Sequence, residues 1–213
     1  MEPSDIAEIL LDRVWNFCQN NSGDTPLDCM VYHSPDQLDV FIDAYLTDEE
    51  DNELNKAIEN SDKFWDEVKK EYEALWRSWI ITKTAQYLGT EIRSTIYSII
   101  ENPKLCDACK VRRLKAYDKV LDEFGDAIMR ALQEGKPLSK KDLYYWLTDL
   151  GDIAFGVKDQ DYYDQVDYYL SYYDTFNDSE KIDMLDILLN EIDDAFPIIN
   201  DALRDLRVLT NES

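Results

Sequence analysis

The sequence predicts an all-α protein, a multi-helix bundle of about eight or nine helices. Three observations lead there. Apolar residues recur at helical spacing along most of the 213 residues. Ser, Thr and Asp stand where those runs begin, as N-caps do. Only 6 Gly and 6 Pro are present, too few turn formers for an all-β chain of this length. Hydrophobic residues at 45% and aromatics at 12% supply a core and separate the chain from disordered acidic tails.

Residues 4–20 place Ile6, Ile9, Leu10, Val14 and Phe17 on one helical face after a Ser4-Asp5 cap. Residues 21–35 read as a loop, with a short extended piece from Cys29 to Tyr32. Ser34-Pro35-Asp36-Gln37 is a capping box with Pro at the first helical position, and it opens a helix through Leu46. Thr47-Asp48-Glu49-Glu50 is a second box, starting a helix to about Asn60.

Residues 61–101 read as one long helix with apolar positions at 64, 65, 68, 72, 75, 76, 79 and 80. Gly89 is a candidate break, since an interior Gly costs about 1 kcal/mol against Ala. Asn102-Pro103 ends the run. A helix follows from about Leu105 to Gln133, stopped by Gly135-Lys136-Pro137. Ser139 to Asp142 cap the next, which runs through Leu150 to about Phe155. Residues 159–176 form another. Asp178-Ser179-Glu180 begin a helix to Ala195, Pro197 breaks or kinks it, and a last helix ends near Leu209. The pattern divides either into two helical regions, 1–135 and 136–213, or not at all.

Charge is the outlier: 46 acidic against 22 basic residues, net −24. Solubility needs only about 2–8 net charges on a small domain, and the excess destabilises a compact state. A basic partner, a halophilic cytoplasm or cation binding would account for it. The distribution is uneven. Residues 1–103 and 142–213 each carry net −14, and residues 104–141 carry net +4. No leader sequence or membrane span is recognisable at the sequence level. An anionic membrane would repel the chain. The expectation is a cytoplasmic protein.

The segment DQDYYDQVDYYLSYYDTF, residues 159–176, holds five Asp and six Tyr. On a helical wheel with Asp161 at zero, Tyr162, Val166, Tyr169, Leu170, Tyr173 and Phe176 fall between roughly 60° and 180°. Asp161, Asp164, Asp167 and Asp174 fall on the opposite face, and Tyr163, Tyr168 and Tyr172 border it. Successive acids rise about 4.5 Å, against 3.4 Å between charges on one DNA strand. Asp183, Asp186, Asp193 and Asp194 repeat the theme in the next helix. Asp36, Asp39 and Asp43, followed by Asp48, Glu49, Glu50 and Asp51, repeat it near the start. A charged helix face is usually just solvated. Here several faces share one sign, and Asp is chosen although it is a poor helix former.

Other constellations point less far. Cys106-Asp-Ala-Cys109 is a C-x-x-C that reads as half a zinc site, a redox pair or structural thiols, and the four cysteines do not resemble a secreted disulfide framework. Structural thiols are the preferred reading. DEEDNELNKAIE, residues 48–59, is loosely like an EF-hand loop but has Glu53 where Gly is required. His33 is the single histidine, sits before a cap and has no nucleophile motif beside it. No phosphate-binding Gly loop is present. The basic segment 104–120 is assigned to internal pairing or oligomer contacts. No enzyme and no cofactor are expected.

In composition and in the layout of its aspartate ridges, the chain resembles the acidic DNA-mimic proteins that phages and plasmids direct against host defence, of the anti-restriction or anti-CRISPR type. The resemblance carries no sequence motif. It implies a non-enzymatic inhibitor whose acidic surface occupies the nucleic-acid groove of a nuclease or effector. It also implies a basic nucleic-acid-binding protein as partner, no direct nucleic-acid binding, and room for a homodimer. An immunity protein or antitoxin against a basic toxin, or a virion scaffold protein, are the alternatives.

Overall fold

A computed structural model describes residues 2–20, 26–45, 54–56, 59 and 61–211. Among these the secondary structure is helical throughout, with no strand. The α-helices are α1 (Pro3–Asn20), α2 (Pro26–Tyr32), α3 (Leu38–Tyr45), α4 (Asp62–Ile100), α5 (Asp107–Glu134), α6 (Lys140–Phe155), α7 (Gln160–Thr175) and α8 (Asp178–Asn211). A 3-10 turn, Pro35–Gln37, precedes α3. Two compact units divide the chain at Ile80/Ile81, inside α4, so Gly135-Lys136-Pro137 lies within the second unit.

The first unit buries Ile6, Leu10 and Val14 of α1, Leu27 and Met30 of α2, Leu38 and Phe41 of α3, and Val68 and Tyr72 of α4. Polar atoms of large aromatics reach out to close backbone groups. Trp76 donates to the Met30 carbonyl (2.8 Å), and Tyr72 donates to the His33 carbonyl. Trp15 packs on Trp79 at 4.8 Å. Residues 29–32, expected to be extended, form the second half of α2. The reason is local: Leu27, Cys29 and Met30 are all buried, and a turn of helix carries them inward while satisfying its own backbone. Ser34 precedes the 3-10 turn but makes no side-chain cap; the turn closes through the Gln37 N–H and the Ser34 carbonyl instead. The second expected capping box lies outside the described residues.

The second unit is built on long helices. α5 packs on α6 and on α8, and α6 packs on α7. Ile92 and Ile96 of α4, Leu121 and Phe124 of α5, Leu147 of α6, Val166 and Leu170 of α7, and Leu188 and Ile192 of α8 meet in one core. The cap expected at Ser139 forms, and Asp159 and Asn177 close the starts of α7 and α8, whereas the Ser4-Asp5 cap does not form as expected: α1 begins at Pro3, and Asp5 accepts from the Glu2 N–H at 2.9 Å. Ser139 accepts from the Asp142 N–H (3.1 Å), Asp159 from the Tyr162 N–H (2.9 Å), and Asn177 and Glu180 form a reciprocal box. Gly135 ends α5 in the left-handed conformation, φ 65°.

Two expected breaks are absent. α4 runs straight through Gly89 because the glycine answers a neighbour: a Cβ there would lie 2.5–2.7 Å from the Glu191 side chain of α8. Glu191 in turn pairs with Arg93, one turn further along α4. α8 continues through Pro197, with Ala195 and Ile199 buried on either side of it holding the helix in register. The lost hydrogen bond is outweighed by that packing.

All four cysteines are bonded. Cys18–Cys29 ties α1 to α2, and Cys106–Cys109 bridges the start of α5. Free structural thiols and a zinc site at Cys106 and Cys109 are therefore both corrected. No group of three or more His, Cys, Asp or Glu among the described residues could hold a metal ion.

Candidate acidic interface

α7 is fixed from beneath by its tyrosines. Tyr162 is buried and donates to the Leu147 carbonyl (2.8 Å); Tyr173 is buried and donates to the Leu138 carbonyl. Tyr169 stacks on Tyr87 with centroids 5.2 Å apart, and Tyr163 donates to Asp152. Burial raises the phenol pKa of Tyr162 and Tyr173 and pushes that of Tyr169 up to about 12. These tyrosines stay protonated donors, and the charge of the helix comes from its carboxylates alone.

Those carboxylates face solvent. Asp161, Asp164, Asp167 and Asp174 are all exposed, opposite the buried Tyr162, Val166, Leu170 and Tyr173. Asp167 pairs with Lys140 at 3.2 Å, and Asp164 accepts from Gln160 at 2.8 Å. The pair with Lys140 is solvent-exposed and worth at most about 1 kcal/mol. On α8, Asp183, Asp186, Asp193 and Asp194 are exposed as well.

The N-terminal ridge is less uniform. Asp36 lies in the 3-10 turn, with Asp39 and Asp43 on α3, and all three are exposed. Asp39 is engaged within its own unit. It accepts from the Trp65 indole N–H at 2.9 Å and lies 3.8 Å from the Lys69 ammonium. Asp48, Glu49, Glu50 and Asp51 lie outside the described residues, as do eight of the twelve residues of the EF-hand-like segment.

His33 is buried. Its ring meets Phe17, Tyr32 and Phe41 at 5.0–5.4 Å, each edge to face. Burial lowers its pKa. In the second unit, burial raises the carboxyl pKa values of Glu91, Asp118 and Asp149. Asp122 adds to the shift at Asp118, and Asp152 and Glu123 add to it at Asp149.

Cys106–Cys109 is a cystine where free structural thiols were the preferred expectation. Cys106 is the N-cap of α5 and its sulfur accepts the Cys109 N–H at 3.1 Å. The signal was there, a C-x-x-C after Asn-Pro at a helix start.

Fold and surface together define an all-helical, strongly acidic protein with ordered aspartate faces. Compared with protein families, curated proteins and solved structures, the chain finds no match in any of the three.

Proposed function

We propose that this chain is a non-enzymatic inhibitor that presents ordered aspartates in place of nucleic-acid phosphates to a basic groove of a nuclease or effector complex. The observation that carries the reading is α7. Its four exposed carboxylates stand on a helix whose other face is locked into the core by buried tyrosines. Such charges need no ordering on binding, which lowers the entropy that association must overcome. A basic groove would release its counterions to either partner, DNA or this surface, and net −24 would steer the encounter. Aspartate serves better than glutamate here because its short side chain keeps the charge close to the helix.

No described helix is long and apolar enough to cross a membrane. The reading sets the protein to work in a host cytoplasm, where exposed cystines meet cellular thiols. Cys18–Cys29 is buried at both ends, 1% and 3% exposed, whereas Cys106 is open to solvent.

The test is capture from a bacterial lysate with tagged protein, comparing wild type with Asp161→Asn/Asp164→Asn/Asp174→Asn. A nuclease or effector complex should be retained and inhibited, and duplex DNA should compete it away. The triple variant should bind at least about tenfold more weakly, about 1.4 kcal/mol, with unchanged circular dichroism. Equal affinity of the folded triple variant, or a partner indifferent to DNA, overturns the reading.

A further inference from the structure

The two cystines differ in burial and in their place in the fold. Cys18–Cys29 is buried between two helices. Cys106–Cys109 spans the N-cap and the first turn of the 28-residue helix α5, with Cys106 exposed and Cys109 half-buried. The Cys106 sulfur already accepts the Cys109 backbone N–H at 3.1 Å. A thiolate formed there would keep that bond and would sit at the positive end of the helix dipole. The flanking sequence is basic. Between residues 102 and 117 stand Lys104, Lys110, Arg112, Arg113 and Lys115, with Asp107 the one acid. Lys110 is held against the end of α4 by its bond to the Ile100 carbonyl, 2.7 Å.

We propose that Cys106–Cys109 is a thiol–disulfide exchange site for a small anionic thiol of the glutathione class, with Cys106 the sulfur that exchanges. In the reductive direction the thiolate of the small thiol attacks Cys106 Sγ. The Cys106–Cys109 bond breaks, its electron pair leaves on the Cys109 sulfur, and a mixed disulfide forms at Cys106. A second small thiolate attacks the small-thiol sulfur of that mixed disulfide. It releases the Cys106 thiolate and a small-molecule disulfide. Two thiols are oxidised to one disulfide; the protein cystine takes up two electrons and two protons. Run in reverse, the Cys106 thiolate attacks the small-molecule disulfide and Cys109 resolves the adduct. The basic stretch attracts the carboxylates of such a thiol in a protein that otherwise repels anions. The inference is independent of the proposed inhibitory role.

The test uses the folded full chain and glutathione. Native protein is treated with reduced glutathione, quenched with acid, alkylated and mapped by mass spectrometry. Cys106–Cys109 should open while Cys18–Cys29 stays closed. Two single variants are then treated with oxidised glutathione. Cys109→Ser should take up one glutathione at Cys106, and Cys106→Ser should react at Cys109 at least tenfold more slowly. Serine at 106 accepts the same N–H, so the cap survives in that variant, and circular dichroism checks that both fold. A Cys106–Cys109 bond that resists glutathione in the native state, parallel opening of both cystines, or equal adduct yields at the two positions overturns the assignment.

Discussion

In the first unit, α1, the short helices α2 and α3 and the start of α4 are held by a buried cystine and by four of the five tryptophans, Trp15, Trp65, Trp76 and Trp79. The second contains eleven of the fourteen tyrosines, and its four helices and the end of α4 share one core in which Tyr117, Tyr162 and Tyr173 are buried and against which Tyr144, Tyr163 and Tyr169 pack. Short helices bury little area each and cannot hold themselves. A covalent tie and large side chains with a polar end make up the difference. The second unit also uses tyrosine anchors, Tyr162 and Tyr173 among them, but its cystine sits at the surface at the start of α5 rather than buried between helices. The contrast also reverses the electrostatics. In the first unit burial lowers the pKa of His33, whereas in the second it raises the carboxyl pKa values of the half-buried Glu91 and Asp149.

The strongest way to break this comparison is to remove the tie. Cys18→Ala/Cys29→Ala opens a link across 11 residues and should destabilise the first unit by about 3 kcal/mol. Tryptophan fluorescence, dominated by that unit, should shift its denaturant midpoint while hydrogen exchange in α5–α8 is unchanged. Removing Cys106–Cys109, which links positions only three apart, should lower stability by no more than about 2 kcal/mol. Comparable losses in both would erase the distinction.

Next in size is Gly89→Ala. Helix propensity alone promises a gain of about 1 kcal/mol. The crowding against Glu191 and the displaced Arg93–Glu191 pair should turn this into a net loss of about 1–3 kcal/mol. A stabilised variant would show that α4 and α8 approach less closely at this point.

The smallest effect is in pH. His33 has a folded pKa below its ordinary 6.5, so the unfolded chain binds its proton first. Its contribution to the first unit is fully present above pH 6.5 and falls as pH drops through the window beneath that value. Glu91, Asp118 and Asp149 have folded pKa values above their ordinary 4.5 and 3.8. The folded state binds their protons first, so the second unit should gain stability as pH falls through those raised values. Hydrogen exchange mapped by peptide at pH 7 and pH 5.5 should therefore show opposite changes in the two units. His33→Phe should abolish the response of the first; parallel changes would refute the assignment.

Much of the helix map was legible because its signals are local. Ser139 caps α6 from within a single turn, and the division of α7 into a buried tyrosine face and an exposed aspartate face follows from a period of 3.6. What was misread depended on distant residues. Gly89 and Pro197 look like breaks because propensity sees only the chain beside them. Glu191, about a hundred residues away, explains the first, and burial on both sides of the second explains why its helix continues. Residues 29–32 look extended by their β-branched and aromatic content, yet their burial selects helix.

Composition and periodicity by themselves determined an all-helical chain, the acid face of α7 and the Ser139 cap, since each needs only residues within a turn or two. The tertiary structure alone decided where the chain divides, which cysteines bond, that Asp39 is engaged by Trp65 and Lys69, and that the lone histidine is buried. Those outcomes rest on contacts between segments far apart in sequence, and no local pattern encodes how distant side chains meet.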